Sequence, residues 1–278
     1  MRIVVTGGSG FLGQELIQVL HSEGHQIINI DLVPSDWPAT EEFIVDLTRE
    51  YPKIKFDFCF HLASGTGGIL FNQDAGIVDY NNRINYNVSR MCGNTPVVFI
   101  SSTNVFEGCK SIHDDINPIT FYSKSKASGE YFLKHNNSNL HIVRSTNMFG
   151  RSQITKFVRY GESHVIPDMF YKINQDGDDL EVWGDGTQTR NFLHTRDLCN
   201  YLKTLLKEPL GVTYHNVCSS ITLSIDELIC ALLDFLGKKK NIVYNDFYMQ
   251  YEKIRIDHFV KDLRDIGSIT TISEGLLS

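Results

Sequence analysis

The stretch Arg2-Ile3-Val4-Val5-Thr6-Gly7-Gly8-Ser9-Gly10-Phe11-Leu12-Gly13 joins a β-branched run to an apolar periodic segment that continues through Leu16, Ile17 and Leu20. The pattern reads as strand, glycine-rich turn and helix. Such a turn brings free backbone N–H groups and the positive end of a helix to one point, where a dinucleotide pyrophosphate is held. The residues expected there are Gly7, Gly10, Phe11, Leu12 and Gly13. Gly24 ends the helix, Gln26–Ile30 reads as a second strand, and Asp31 follows at its end, 18 residues beyond Gly13. A carboxylate there accepts hydrogen bonds from a ribose 2′-hydroxyl and repels a 2′-phosphate, so NAD(H) is expected rather than NADP(H).

Working outward, apolar runs at Phe43–Val45, Asp57–Leu62, Val97–Ser101 and Leu140–Arg144 read as further strands with helices between them. Near-continuous apolar strands alternating with helices indicate an α/β fold with a parallel sheet covered on both faces. After Gly150 the pattern loosens into a helix near Ser163–Asn174, a strand at Leu180–Trp183, the segment Arg190–His194, and helices over Arg196–Lys207 and Ser224–Leu236. The expected organisation is a dinucleotide-binding domain over 1–150 and a smaller C-terminal substrate lobe over 151–278, with segments exchanged between the two.

The 278 residues are 42% hydrophobic and 21% charged, which places the chain among compact globular proteins and against disorder or coiled coil. A formal net charge of -7 argues against binding to nucleic acid or an anionic membrane surface, since both need a basic surface. Six scattered cysteines form no C-x-x-C pair, so reduced thiols, a cytoplasmic location and no metal site are expected. The run Ile3-Val4-Val5 is too short for a signal-peptide core, and no stretch approaches a membrane span.

Val97–Ser101 runs into Ser101-Ser102-Thr103-Asn104, which puts hydroxyls at the carboxyl end of the sheet, where open α/β folds bind ligands. Tyr122 and Lys126 follow at i, i+4 on one helix face. An ammonium beside a phenol favours the phenolate, so Lys126 is expected to lower the pKa of Tyr122 and fit it for proton exchange with a sugar hydroxyl. His61 reads as a core histidine, and Cys59 and Cys92 as core thiols. Asp46 has a second reading as the cap of a helix beginning near Thr48.

Taken in order, several motifs resemble those of the extended short-chain dehydrogenase/reductase family of nucleotide-sugar enzymes. They are the glycine turn, Asp31, Asp46-Leu47, His61-Leu62-Ala63-Ser64, Ser102, Tyr122-x-x-x-Lys126, Arg144-x-x-Asn147-x-Phe149-Gly150 and Gly184-Asp185-Gly186-Thr187-Gln188-Thr189-Arg190-Asn191-Phe192. The resemblance covers nearly the whole chain. It implies a Rossmann-type doubly wound sheet, Ser102 orienting the substrate, Tyr122 as acid/base, and Lys126 holding the nicotinamide ribose. It also implies Asp46, Leu47, Leu62 and Ala63 around the cofactor, Thr103, Asn104, Asn147 and Arg190 around the substrate, and a homodimer through the helix that carries Tyr122.

Gly67-Gly68-Ile69, leading to Tyr80-Asn81-Asn82, resembles GDP-mannose 3,5-epimerases and GDP-L-fucose synthases, and Ser163-His164-Val165-Ile166-Pro167 followed by Val182-Trp183-Gly184 resembles the synthases in particular, which favours a GDP-linked sugar and adds His164 as a catalytic candidate. In those enzymes a cysteine two residues after the serine is an epimerising base. Here Asn104 stands in its place, an amide that takes no proton from carbon. The Asp-Glu pair of the 4,6-dehydratases is likewise replaced by Thr103-Asn104. Chemistry at carbon 4 remains: a 4-epimerase or 4-dehydrogenase using NAD, with a 4-keto-6-deoxy-sugar reductase as the alternative. A non-catalytic dinucleotide-binding protein is the competing class, and the intact Ser102, Tyr122 and Lys126 argue against it.

Overall fold

The computed structural model describes residues 1–37, 39–68, 70–151, 163–245 and 257–277. Along the chain run β1 (Arg2–Thr6), α1 (Phe11–Ser22), β2 (Gln26–Asp31), β3 (Glu41–Ile44), β4 (Phe58–His61), α2 (Gly76–Cys92), β5 (Val97–Ser102), α3 (Phe121–Asn136), β6 (Leu140–Ser145) and β7 (Asn147–Phe149). There follow α4 (Val165–Asn174), β8 (Asp179–Trp183), β9 (Thr189–His194), α5 (Thr195–Thr204), β10 (Val212–Cys218), β11 (Thr222–Ser224), α6 (Ile225–Leu236), β12 (Asn241–Asn245), β13 (Arg264–Asp265) and α7 (Ile272–Leu277).

Eight strands form the main sheet in the order β13-β10-β6-β5-β4-β1-β2-β3. Every neighbouring pair is parallel, with Val4 opposite both Ile28 and Cys59. β4, β5 and β6 are buried along their whole length, as strands covered on both faces must be. On one face, Leu16 and Ile17 of α1 meet Leu198 and Leu202 of α5 over Val5 and Phe60. On the other, Ile84, Val88 and Leu133 of α2 and α3 cover Val4, Ile28 and Phe99. Each such side chain contributes about 1.5 to 3 kcal/mol through its burial. The strand order reverses between β1 and β4, so their carboxyl ends open a crevice.

A second core gathers Phe149, Ile166, Leu180, Phe192, Leu228 and Leu276. It lies around the small sheets β11-β9-β7 and β12-β8. α6 begins in a capping box, in which Ser224 accepts from the Glu227 N–H while the Glu227 carboxylate accepts from the Ser224 N–H. It ends at Gly237 in the left-handed conformation.

The structure revises several expected elements. The third strand begins two residues early, at Glu41. Only a turn follows Asp46, because its Oδ1 accepts from both N (2.9 Å) and Oγ1 (2.7 Å) of Thr48, a local arrangement that closes without a helix. Arg190–His194 lies within strand β9. β10, which no apolar run marks, joins the main sheet beside β6.

Candidate active site

A cleft of about 430 Å³ opens at the carboxyl ends of the central strands. Sixteen of the residues expected at the site line it: Gly7, Gly10, Phe11, Leu12, Gly13, Asp31, Asp46, Leu47, Leu62, Ala63, Ser102, Asn104, Tyr122, Lys126, Asn147 and His164. Thr103 and Arg190 are not among the lining residues. The Thr103 hydroxyl donates to the Ser145 carbonyl (3.3 Å), and an Arg190 guanidinium nitrogen donates to the Thr189 carbonyl (2.7 Å).

At one end of the cleft, Gly7 has φ +72°, and a Cβ on it would stand 2.7 Å from the Ala63 nitrogen. A Cβ on Gly13 would stand 2.2 Å from the Gly7 carbonyl oxygen, so any side chain would force this backbone apart. Helix α1 has no side-chain cap and no acidic residue in its first turn, which leaves its positive end facing the cleft. Asp31 braces the turn, accepting from the Ser9 N–H (2.9 Å) and the Leu32 N–H (2.6 Å). Asp46 is held below its usual carboxylate range, chiefly by the Thr48 hydrogen bonds. A glycine cradle that a Cβ would fill, beneath an uncapped helix end, fits the pyrophosphate of a dinucleotide.

At the other end, Thr120 caps α3 by accepting from the Ser123 N–H (3.2 Å). The Glu107 carboxylate binds the same helix start, accepting from the N–H groups of Ile119 (3.0 Å) and Thr120 (2.9 Å) and from the Ser123 hydroxyl (2.6 Å). These contacts fix the first turn, and with it Tyr122. One turn on, Lys126 is buried, with Nζ donating to Ser64 Oγ (3.1 Å) and the Ile100 carbonyl (3.1 Å), 5.7 Å from the Tyr122 ring centre. Burial lowers the Lys126 pKa to about 8, against the opposing charge of Glu130.

Tyr122 corrects an expectation: its pKa is raised, not lowered. Burial is the largest cause, with the Glu107 charge acting the same way, while hydrogen bonding from Thr66 and Ser102 works against them. Lys126 is occupied by Ser64 and Ile100 and does not offset the burial. Ser102 accepts from the Asn104 N–H (3.2 Å) and donates to Asn104 Oδ1 (3.3 Å). His164 opens on the cleft at the start of α4, and the protein around it lowers its imidazole pKa.

Beneath the cleft, Glu130, two turns beyond Tyr122, accepts from Ser101 (2.5 Å) and forms a two-pronged pair with Arg144 (2.9 and 2.6 Å). His61 is fully buried between Thr6 (2.8 Å) and Asn85 (2.9 Å), with its pKa lowered to about 4 by burial. It is a neutral core residue. The sequence reading held Ser64 and Asn81 only as members of motifs, without a task, and did not single out Thr66, Glu107 or Glu130. Of these, Glu130 carried a signal, as a carboxylate at i+8 from Tyr122 on one helix face.

The chain matches the family described as NAD dependent epimerase/dehydratase over residues 3–217. It belongs to that family. The family depends on NAD, which the glycine turn, the open helix end and Asp31 would hold here. Among curated family members, it is 28% identical over 266 residues to a GDP-L-fucose synthase of Sinorhizobium fredii, covering 88% of this chain and 82% of that protein. It is 26% identical over 276 residues to a dTDP-4-dehydro-6-deoxy-D-allose reductase of a Streptomyces species, covering 86% of this chain and 82% of that protein. Among solved structures, the UDP-glucose 4-epimerase of Thermus thermophilus in complex with NAD shares the fold. Its TM-score is 0.75 at 17% identity, covering 99% of this chain and 96% of that one.

Proposed function

We propose that this NAD dependent epimerase/dehydratase acts at carbon 4 of a nucleotide-linked hexose or heptose, as a 4-epimerase or a 4-dehydrogenase. The observation that carries the reading is the convergence of Ser102, Tyr122 and Lys126 in one cleft with Asn104 beside them. NAD, when bound, supplies the hydride acceptor. Ser102 orients the sugar oxygen through its hydroxyl, and Tyr122 takes the proton of the carbon-4 hydroxyl as its phenolate and returns it as the phenol. Lys126 provides a buried positive charge beneath the ring. Asn104 orients but removes no proton, so epimerisation at carbon 3 or 5 lacks one of its two groups.

A reductase of a 4-keto-6-deoxy sugar is the second reading. It is favoured by His164, which lines the same cleft, and by the reductase and synthase among the relatives. The same relatives, one GDP-linked and one dTDP-linked by name, make GDP the first nucleotide to test. A homodimer through α2 and α3 is supported by exposed aromatic residues on that pair of helices, Tyr86 and Tyr131. A reducing, cytoplasmic setting is supported by the cysteines, all six of which are unpaired. Among the described residues no helix is long and apolar enough to cross a membrane.

The deciding experiment identifies the dinucleotide released on denaturing the purified protein, then screens UDP-, GDP-, CDP- and dTDP-hexoses for products. The expected result is NAD and a product altered at carbon 4. No turnover of any nucleotide sugar would sink the reading.

A further inference from the structure

Three successive residues of the loop after β4 each reach the machinery around Tyr122. Ser64 Oγ accepts from Lys126 Nζ (3.1 Å). The Gly65 N–H donates to Asn81 Oδ1 (2.7 Å), and Asn81 Nδ2 donates back to the Gly65 carbonyl (3.2 Å) and on to Ser125 Oγ (3.0 Å). Ser125 Oγ in turn donates to the Tyr122 carbonyl (2.7 Å). Thr66, next in line, lines the cleft with Tyr122 and Ser102. The loop is thus clamped to α3 through buried Asn81, and Thr66 is carried to a fixed place.

The surroundings of Tyr122 differ in one respect. Lys126 and Ser102 are buried, and their partners Ser64 and Asn104 are half-buried on the cleft wall, where Ser64 Oγ also donates to the Gly65 carbonyl (3.2 Å) and Ser102 to Asn104 Oδ1 (3.3 Å). Thr66 is exposed. A 4-epimerase returns the same proton to the sugar, whereas a net oxidation or reduction must exchange one proton with solvent in each turnover.

We infer that Thr66 is a positioning residue for Tyr122, whose exposed hydroxyl links the phenol to solvent and carries the exchanged proton. The inference rests on the carbon-4 reading and deepens it toward a one-way oxidoreductase. In the oxidising direction the carbon-4 O–H bond breaks and its proton passes to the Tyr122 phenolate oxygen, giving the phenol, while the electron pair of the C–H bond leaves as hydride to NAD. Tyr122 then gives a proton to Thr66 Oγ1 as Thr66 releases its own to water, so one proton reaches solvent and Thr66 is unchanged. Among the described residues, the charged or titratable groups around Tyr122 are Lys126, Glu107 and, lining the same cleft, His164.

The test uses Thr66→Val and Thr66→Ser in the whole protein with NAD added. Protein carrying ring-labelled tyrosine is titrated by NMR, with the Tyr122 signal identified by its loss in Tyr122→Phe. Thr66→Val should raise the apparent pKa of Tyr122 by about half a unit or more, since it removes a hydrogen bond to the phenolate, and Thr66→Ser should leave it near the parent value. With the nucleotide sugar that turns over, Thr66→Val should slow kcat ~10-fold while KM stays within about threefold, and Thr66→Ser should stay within about threefold in both. An unchanged titration in Thr66→Val, or a loss confined to KM, overturns the inference. Parent-like turnover in Tyr122→Phe overturns the carbon-4 reading instead, so the two failures are distinct.

Discussion

Tyr122→Phe removes one hydroxyl and keeps the ring, so its effect isolates proton transfer. Turnover should fall by ~10² to 10⁴-fold, while NAD affinity measured by equilibrium dialysis stays near that of the parent. Gly13→Ala should do the reverse, because its Cβ would stand 2.2 Å from the Gly7 oxygen and push the cradle open. Dialysis should then show NAD binding lost in a protein whose circular dichroism is unchanged; parent-like binding would remove the turn from the site. Asp31 gives a selectivity test: NAD(H) should bind at least ~10-fold tighter than NADP(H), and Asp31→Ser should narrow the gap. His61 gives a pH test. Its folded pKa of about 4 lies below the usual 6.5, so on acidification the unfolded chain takes up the proton first. Its stabilising contribution is therefore complete above pH 6.5 and is lost as pH falls toward 4, by about 3 kcal/mol in all. Urea titrations should show His61→Gln losing less stability between pH 7 and pH 5 than the parent does.

Helix α3 is the element on which most of the site depends, and its face was legible as spacing: Tyr122, Lys126 and Glu130 follow at four-residue intervals. What spacing left out was the purpose of Glu130, whose partners Ser101 and Arg144 lie on two different strands. Arg144 is itself enclosed between the rings of Phe106 and Tyr214, each 4.9 Å away. Glu130→Gln would leave that guanidinium buried without its countercharge, a loss of about 3 to 5 kcal/mol, and Glu130→Leu with Arg144→Met should recover most of it. Equal urea midpoints for the single variant and the parent would show the pair to be dispensable. The turn from β1 to α1 was readable because glycine, apolar period and Asp31 agree in one short stretch. Thr66 was not, since it sits in a loop without periodicity and matters only because Asn81, from a separate helix, fixes that loop. β10 escaped notice because Val212-Thr213-Tyr214-His215 alternates between exposed and half-buried positions instead of forming an apolar run.

At the scale of the whole molecule, the proposed chemistry predicts where solvent hydrogen appears. Product formed in deuterated water should carry no deuterium at carbon 3 or carbon 5, because Asn104 supplies no base there and Tyr122 exchanges protons with oxygen alone. Stoichiometric deuterium at either carbon, read by NMR, would give His164 an epimerising task and end the carbon-4 reading. The proposed pairing of α2 and α3 is checked by light scattering, where Tyr131→Glu should shift a dimer toward monomer. The architecture also bears on how the chain is made. Tyr214 and His215 of β10 pair with Ile142 and Val143 of β6, yet β10 leaves the ribosome only after all of α4, β8, β9 and α5. At common rates of translation, the outer edge of a fully buried strand therefore stays open for on the order of 3 to 15 seconds. During synthesis that edge is a template for pairing with a neighbouring nascent chain, and its cover by a chaperone would decide the yield of folded protein.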